Sequence, residues 1–234
     1  MDEIEWWEFD SARELAEQAA GDIGFVIESA LEAHADARLA LPGEDGVAPV
    51  FSALAKAKGF DWSKVSLLPT ADALSPPAGA QSLRERLEGW FAAKGAEIFS
   101  LVDEAAAGDP AEAARLADAR LSLLRWPLDF VCLGMDAEGG TAGLRAGADL
   151  DRVLNAPRGR HAVGVHGPDG SAVTLTGPTL TTARTVMIVI NGRGKRALLE
   201  QAIKEGPLSS RPIGRLLATI DSPVDVFWTG EEQA

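Results

Sequence analysis

The chain has 234 residues, 46% of them hydrophobic, which suits one sizeable α/β domain spanning 1–234. Its 22 Lys and Arg against 35 Asp and Glu leave a formal net charge of -13, which argues against nucleic acid and anionic membrane as partners, since both select clustered positive charge. The lone Cys132 excludes an intrachain disulfide framework, no apolar run has the ~18 residues a membrane span needs, and the acidic start MDEIEWWEF lacks a signal-peptide layout. The expectation is an unprocessed, soluble, cytoplasmic protein, monomeric or weakly dimeric.

In chain order, Ile4–Phe9 reads as a strand, and Asp10 or Ser11 as the N-cap of a long amphipathic helix carrying Leu15, Ala19, Ile23, Ile27, Ala30 and Leu31 at helical spacing. Ala37–Leu41 reads as a strand, 49–58 as a helix closed by Gly59, and 64–68 as another strand. The stretch 70–81, rich in Ala, Pro, Gly and Ser, reads as a loop, and 81–93 as a helix. Asp109, Pro110 and Glu112 then give a start signal of N-cap acid, proline at N1 and acid at N3. The continuous apolar run 128–133 predicts a strand covered on both faces. A hairpin follows over 162–166 and 172–175 about the turn 167–170, then a buried strand at 185–190, a helix at 195–204 stopped by Gly206-Pro207, a short helix from Pro212 and a last strand at 224–228. This alternation predicts a doubly wound α/β fold: a mostly parallel sheet, helices on both faces and a small β-hairpin appendage.

Ligands of such sheets collect outside the carboxyl ends of the strands, so three loops matter most: 42–47, 70–81 and 136–147. The last lies in LGMDAEGGTAGLRAG, residues 133–147. That run resembles the 6-phosphogluconolactonase signature, roughly L-G-M-G-x-D-G-H-T-A-S-L-F-P-G. The resemblance covers nearly the whole chain. LALPGEDGVAPVFSAL (39–54) is similar to the family's L-A-L-S-G-G-S-T-P-x-P-L-Y-x-x-L, VTLTGPTLTTARTVMIVINGRGK (173–195) to its R-x-T-L-T and G-x-x-K segments, and PIGRLL (212–217) to its P-x-S-R-x-L.

The resemblance implies the hydrolysis of a sugar lactone, 6-phosphogluconolactone to 6-phosphogluconate, in the oxidative pentose phosphate route, without a cofactor. It places substrate binding at Gly43, Asp45, Asp72, Gly139, Gly140, Thr141, Lys195 and Arg215. Three departures stand out. Gly140 occupies the position of the family's histidine, Ala71-Asp72-Ala73 that of D-E-R, and Gly43-Glu44-Asp45-Gly46 that of G-G-S-T. Two carboxylates in a phosphate cradle would repel the ligand by on the order of 4 kcal/mol per charge pair at about 4 Å, unless Glu44 and Asp45 turn away.

Opening a lactone needs a base for water, donors for the oxyanion and an acid for the leaving oxygen. With no imidazole at 140, the candidate bases are Glu138, which matches the signature's aspartate, and His161, which follows Arg158 and Arg160. Each has a plainer reading: Glu138 as a solvated loop carboxylate, His161 as a surface ring, Lys195 as a solvated lysine near a helix start, and Arg184 and Arg215 as ion-pair partners. The spacing of the three histidines fits no zinc motif, and the glycine-rich runs fit neither a Walker loop nor a dinucleotide fingerprint. Two alternatives to the phosphorylated lactone stay open. One is an inactive homologue serving as a binding or regulatory protein. The other is a hydrolase for an unphosphorylated or cationic ligand, which Glu44, Asp45, Asp72, Asp136 and Glu138 would suit.

Overall fold

The computed structural model describes residues 4–44, 46–103, 106, 108–167 and 170–231. The first strand, β1 (Ile4–Phe9), leads into α1 (Ala12–His34), whose N-cap is Ser11: its hydroxyl accepts from the Glu14 amide. Then come β2 (Ala37–Leu41), α2 (Ala48–Leu54), β3 (Val65–Pro69), β4 (Ala71–Ala73), α3 (Leu83–Phe91), β5 (Glu97–Ile98) and α4 (Pro110–Leu121). Asp109 caps α4 as its spacing predicts, accepting from the amides of Ala111 and Glu112. The second half runs β6 (Phe130–Leu133), α5 (Ala148–Leu154), β7 (Ala162–Gly167), β8 (Gly170–Leu175), α6 (Gly177–Thr181), β9 (Thr185–Asn191), α7 (Arg193–Glu205), α8 (Pro212–Leu217) and β10 (Val224–Thr229).

Among the described residues, seven strands form a parallel sheet in the order β1-β10-β9-β6-β2-β3-β5. All four residues of β6 are buried, as a strand covered on both sides must be. Alternation along the strands splits the core in two. Leu39, Leu41, Phe130, Cys132, Met187 and Val189 join α1, α2 and α3 on one face. Ala40, Val131, Leu133, Ile188 and Ile190 join α4, α5, α7 and α8 on the other. The doubly wound reading holds.

Several local expectations need correction. The appendage is a three-stranded antiparallel sheet, β4-β8-β7, because Ala71–Ala73 leaves the expected loop to pair with Ala172, Val173 and Thr174 of β8. Pro168 and Asp169, at the expected hairpin turn, lie outside the described residues. The second helix ends at Leu54, short of the expected 58. Two short helices, α5 and α6, answer to no expectation.

From β2 the chain winds towards β3 and β5, and from β6 towards β9 and β10. The carboxyl ends of β2 and β6 therefore flank the crossover point, where a doubly wound sheet opens a crevice. The small sheet walls that crevice on the β3 side.

Candidate active site

A cavity of about 570 Å³ opens there. Its walls come from Gly43 and Glu44 after β2, from Thr70, Ala71 and Asp72 after β3, from Arg86 on α3, from Asp136, Thr141 and Arg145 after β6, and from Lys195 on α7 after β9. The three loops marked by the sequence do converge.

The loop after β6 is closed by its own first acid. Asp136 Oδ1 accepts from the amides of Glu138 (2.9 Å) and Gly140 (2.7 Å), and its amide donates to the Gly140 carbonyl (3.0 Å). Its other oxygen forms an ion pair with Arg145. Gly140 sits with no room above it: a Cβ there would run into Asp136 Oδ2 and come within 2.8 Å of both Arg145 and the Leu144 carbonyl. The Asp136–Arg145 pair thus fills the space a side chain at 140 would need. Gly139, at φ +85°, makes the turn itself, and its carbonyl accepts from the Ile213 amide. Thr141 is buried, donating from Oγ1 to the Gly134 carbonyl (2.7 Å).

Glu44 turns inward. Its Oε1 accepts from the Ala142 amide (2.9 Å) and its methylene stacks on Gly134, where a Cβ would come within 2.6 Å. Asp72 is 4% exposed and accepts from the Leu83 amide at the start of α3 (2.9 Å). Glu44 and Asp72 each place one oxygen on a donor of the chain's own backbone, but both line the cavity, where Glu44 also feels the charge of Arg145; Asp45 lies outside the described residues. Among the described residues three cations line the cavity: Arg86, whose Nη1 donates to the Gly43 carbonyl (2.8 Å), Arg145 and Lys195.

The remaining candidates sit elsewhere. Glu138 is exposed at the outer side of its turn. His161 lines a different pocket, its ring stacked on Trp126 at 3.9 Å and 7° and its Nδ1 3.2 Å from Thr179 Oγ1. Burial holds that imidazole below its ordinary value. Arg215 forms an ion pair with Asp151 of α5, and Arg184 lies 3.5 Å from the buried Asp129. The aromatic and acidic partners nearest each of these three residues explain their placement. Arg86 and Arg145 went unmarked in the sequence, although Arg145 stands where the quoted signature carries phenylalanine, and a cation replacing an apolar residue there is a signal. Among the described residues no cluster of three or more His, Cys, Asp or Glu could hold a metal ion.

Burial pushes Asp72 up from 3.8 to about 6, against the pull of the Leu83, Arg84 and Ala73 amides. A carboxyl raised in the folded chain binds its proton there more tightly than in the unfolded chain. Stability is therefore lost as the pH rises from about 3.8 to about 6. Asp72→Asn removes that loss while keeping an oxygen for Leu83. It is expected to exceed wild type in stability by about 1–3 kcal/mol at pH 7 and to lose most of the advantage by pH 4, as read by urea unfolding at the two pH values.

The chain matches the family described as glucosamine-6-phosphate isomerases/6-phosphogluconolactonase over residues 10–228. It belongs to that family. Within the family, a 6-phosphogluconolactonase of Rhizobium meliloti (strain 1021) is 31% identical, over 94% of this chain and 96% of its own. One from Mesorhizobium japonicum is also 31% identical, over 95% and 94%. The crystal structure of a 6-phosphogluconolactonase from Shewanella baltica OS155 superposes with a TM-score of 0.87 at 26% identity, covering 97% of this chain and 98% of that one. Among the described residues of this family member, no helix is long and apolar enough to cross a membrane.

Proposed function

We propose that the chain hydrolyses 6-phosphogluconolactone to 6-phosphogluconate, as a cytoplasmic single-domain enzyme of the oxidative pentose phosphate route with no cofactor. The observation that carries this reading is the convergence of Arg86, Arg145 and Lys195, from three separate elements, on one cavity at the carboxyl edge of the sheet. With Glu44, Asp72 and Asp136 on the same wall the cavity is evenly balanced in formal charge, in a chain of net charge -13, and its three cations suit a dianionic phosphate joined to a polar ring. The relatives named above support the same substrate.

A second reading, binding of the sugar phosphate without turnover, rests on the filled space above Gly140. Background-corrected hydrolysis of 6-phosphogluconolactone separates the two. Turnover above about 1 s⁻¹, in the ordinary range for enzymes, is the expected result. A rate equal to the spontaneous one, with the phosphorylated sugar acid still bound in calorimetry, would favour the second.

A further inference from the structure

We propose that Glu44 is the group that takes the proton from the attacking water in lactone opening, in place of any side chain at Gly140. The inference rests on the lactonase reading above. It begins from an orphaned atom: Glu44 Oε2 is buried in the cavity wall and has no hydrogen-bond partner among the described residues, while Oε1 is fixed by the Ala142 amide. A buried carboxylate oxygen left without a donor is costly, and such exceptions call for a ligand or a catalytic role. The residue that fixes it is itself unusual. Ala142 has φ +51°, a left-handed backbone rare for alanine and of the kind that clusters at functional sites.

The other two acids on the wall have partners of their own, and neither leaves a buried oxygen without one. Asp136 is held by two amides and by Arg145. Asp72 is committed to the start of α3. Around Glu44 stand Cys132 on β6, whose thiol burial raises further, Arg145 in the loop after β6, and Asp72, Arg86 and Lys195 around the same cavity. Burial pushes the Glu44 carboxyl upward against the neighbouring amides and Arg145, which strengthens it as a base.

The step balances. The water oxygen bonds to the lactone carbonyl carbon as its proton passes to the Glu44 carboxylate, leaving a tetrahedral oxyanion. When the carbonyl re-forms, the ring carbon–oxygen bond breaks and the proton moves from Glu44 to the departing ring oxygen. The product is the hydroxy acid, and Glu44 is again a carboxylate.

Steady-state kinetics on 6-phosphogluconolactone, background-corrected from pH 4.5 to 8, tests this with wild type, Glu44→Gln, Glu44→Asp and Asp72→Asn, with each variant's melting temperature recorded. Glu44→Gln keeps an acceptor for the Ala142 amide, and is expected to lower kcat by about 10²–10⁴-fold with little change in KM and to lose the acidic limb of the profile. Glu44→Asp is expected to keep that limb, displaced, at a reduced kcat. If Glu44→Gln does not fold, Glu44→Asp decides: a profile and kcat like wild type overturn the proposal. So does a folded Glu44→Gln within about 3-fold of wild type in kcat, or an acidic limb that vanishes only in Asp72→Asn. A wild type with no turnover overturns the lactonase reading and this inference together, whereas an active wild type with an unaffected Glu44→Gln overturns this inference alone.

Discussion

Loss of both cations in Arg86→Met/Lys195→Met is expected to raise KM for 6-phosphogluconolactone by about 10²–10⁴-fold, with each single change giving about 10–100-fold. Charge-assisted hydrogen bonds are worth roughly 1.5–3 kcal/mol each, and the two residues approach the cavity from different elements, α3 and α7. The control is the same lactone without its phosphate. If the cations read the phosphate, the KM for gluconolactone moves far less than that for the phosphorylated lactone. Equal changes for the two substrates would show that Arg86 and Lys195 act on the sugar ring or on the loop. Arg86 makes the second outcome measurable, since its Nη1 also holds the Gly43 carbonyl. Raising the ionic strength should increase the wild-type KM for the phosphorylated lactone in the same direction, because exposed charge pairs are screened.

The next largest effect concerns the space above Gly140. Gly140→His is expected to destabilise the chain by about 2–3 kcal/mol, since its Cβ runs into Asp136 Oδ2 and crowds Arg145 and the Leu144 carbonyl. In a chain of this size that lowers the melting temperature by roughly 4–12 °C. Asp136→Gly alone also destabilises, by removing the acceptor for the Glu138 and Gly140 amides. Combined, the two changes should cost less than their sum by about 1–2 kcal/mol, because the glycine vacates the volume the imidazole enters. Additivity within about 0.5 kcal/mol in urea or thermal unfolding would mean that Asp136 does not occupy that volume. Side chains at 140 and 136 thus compete for the same space.

Much of the fold was legible because its signals are local. Ser11 and Asp109 announce their helices by side chains that satisfy amides within three residues, and the apolar run ending at Leu133 needs no distant partner to identify it. What was missed depends on contacts remote in sequence. Ala71–Ala73 has no strand propensity and becomes a strand only because β8 lies alongside. The helix α5 is seven residues long with three charges, too short for a periodic pattern to emerge.

The site divides the same way. Gly43, Asp72, Thr141 and Lys195 were found through their runs of sequence and do meet at one cavity. Glu138 belongs to the same signature run and His161 stands out only by chemical type, and the surroundings of both take them away from the cavity. Which way Glu44 points, and that Arg86 reaches across to Gly43, are decided by residues 98 and 43 positions away.

The pairing of β1 with β10 sets the order in which the sheet can be completed. Ile4 lies opposite Val224 and Phe9 opposite Thr229, 220 residues apart in each case, so β1 finds its partner only after every other described strand has been made. Until then Trp6, Trp7 and Phe9 lack their sheet neighbour, and the loop closure that brings the two strands together is the longest in the fold. The crevice-forming strands β2, β3, β6 and β9 need no such wait. The edge that carries the cavity can therefore be assembled before the far edge is sealed, and β10 acts as a clasp that closes a sheet whose cavity half is already in place.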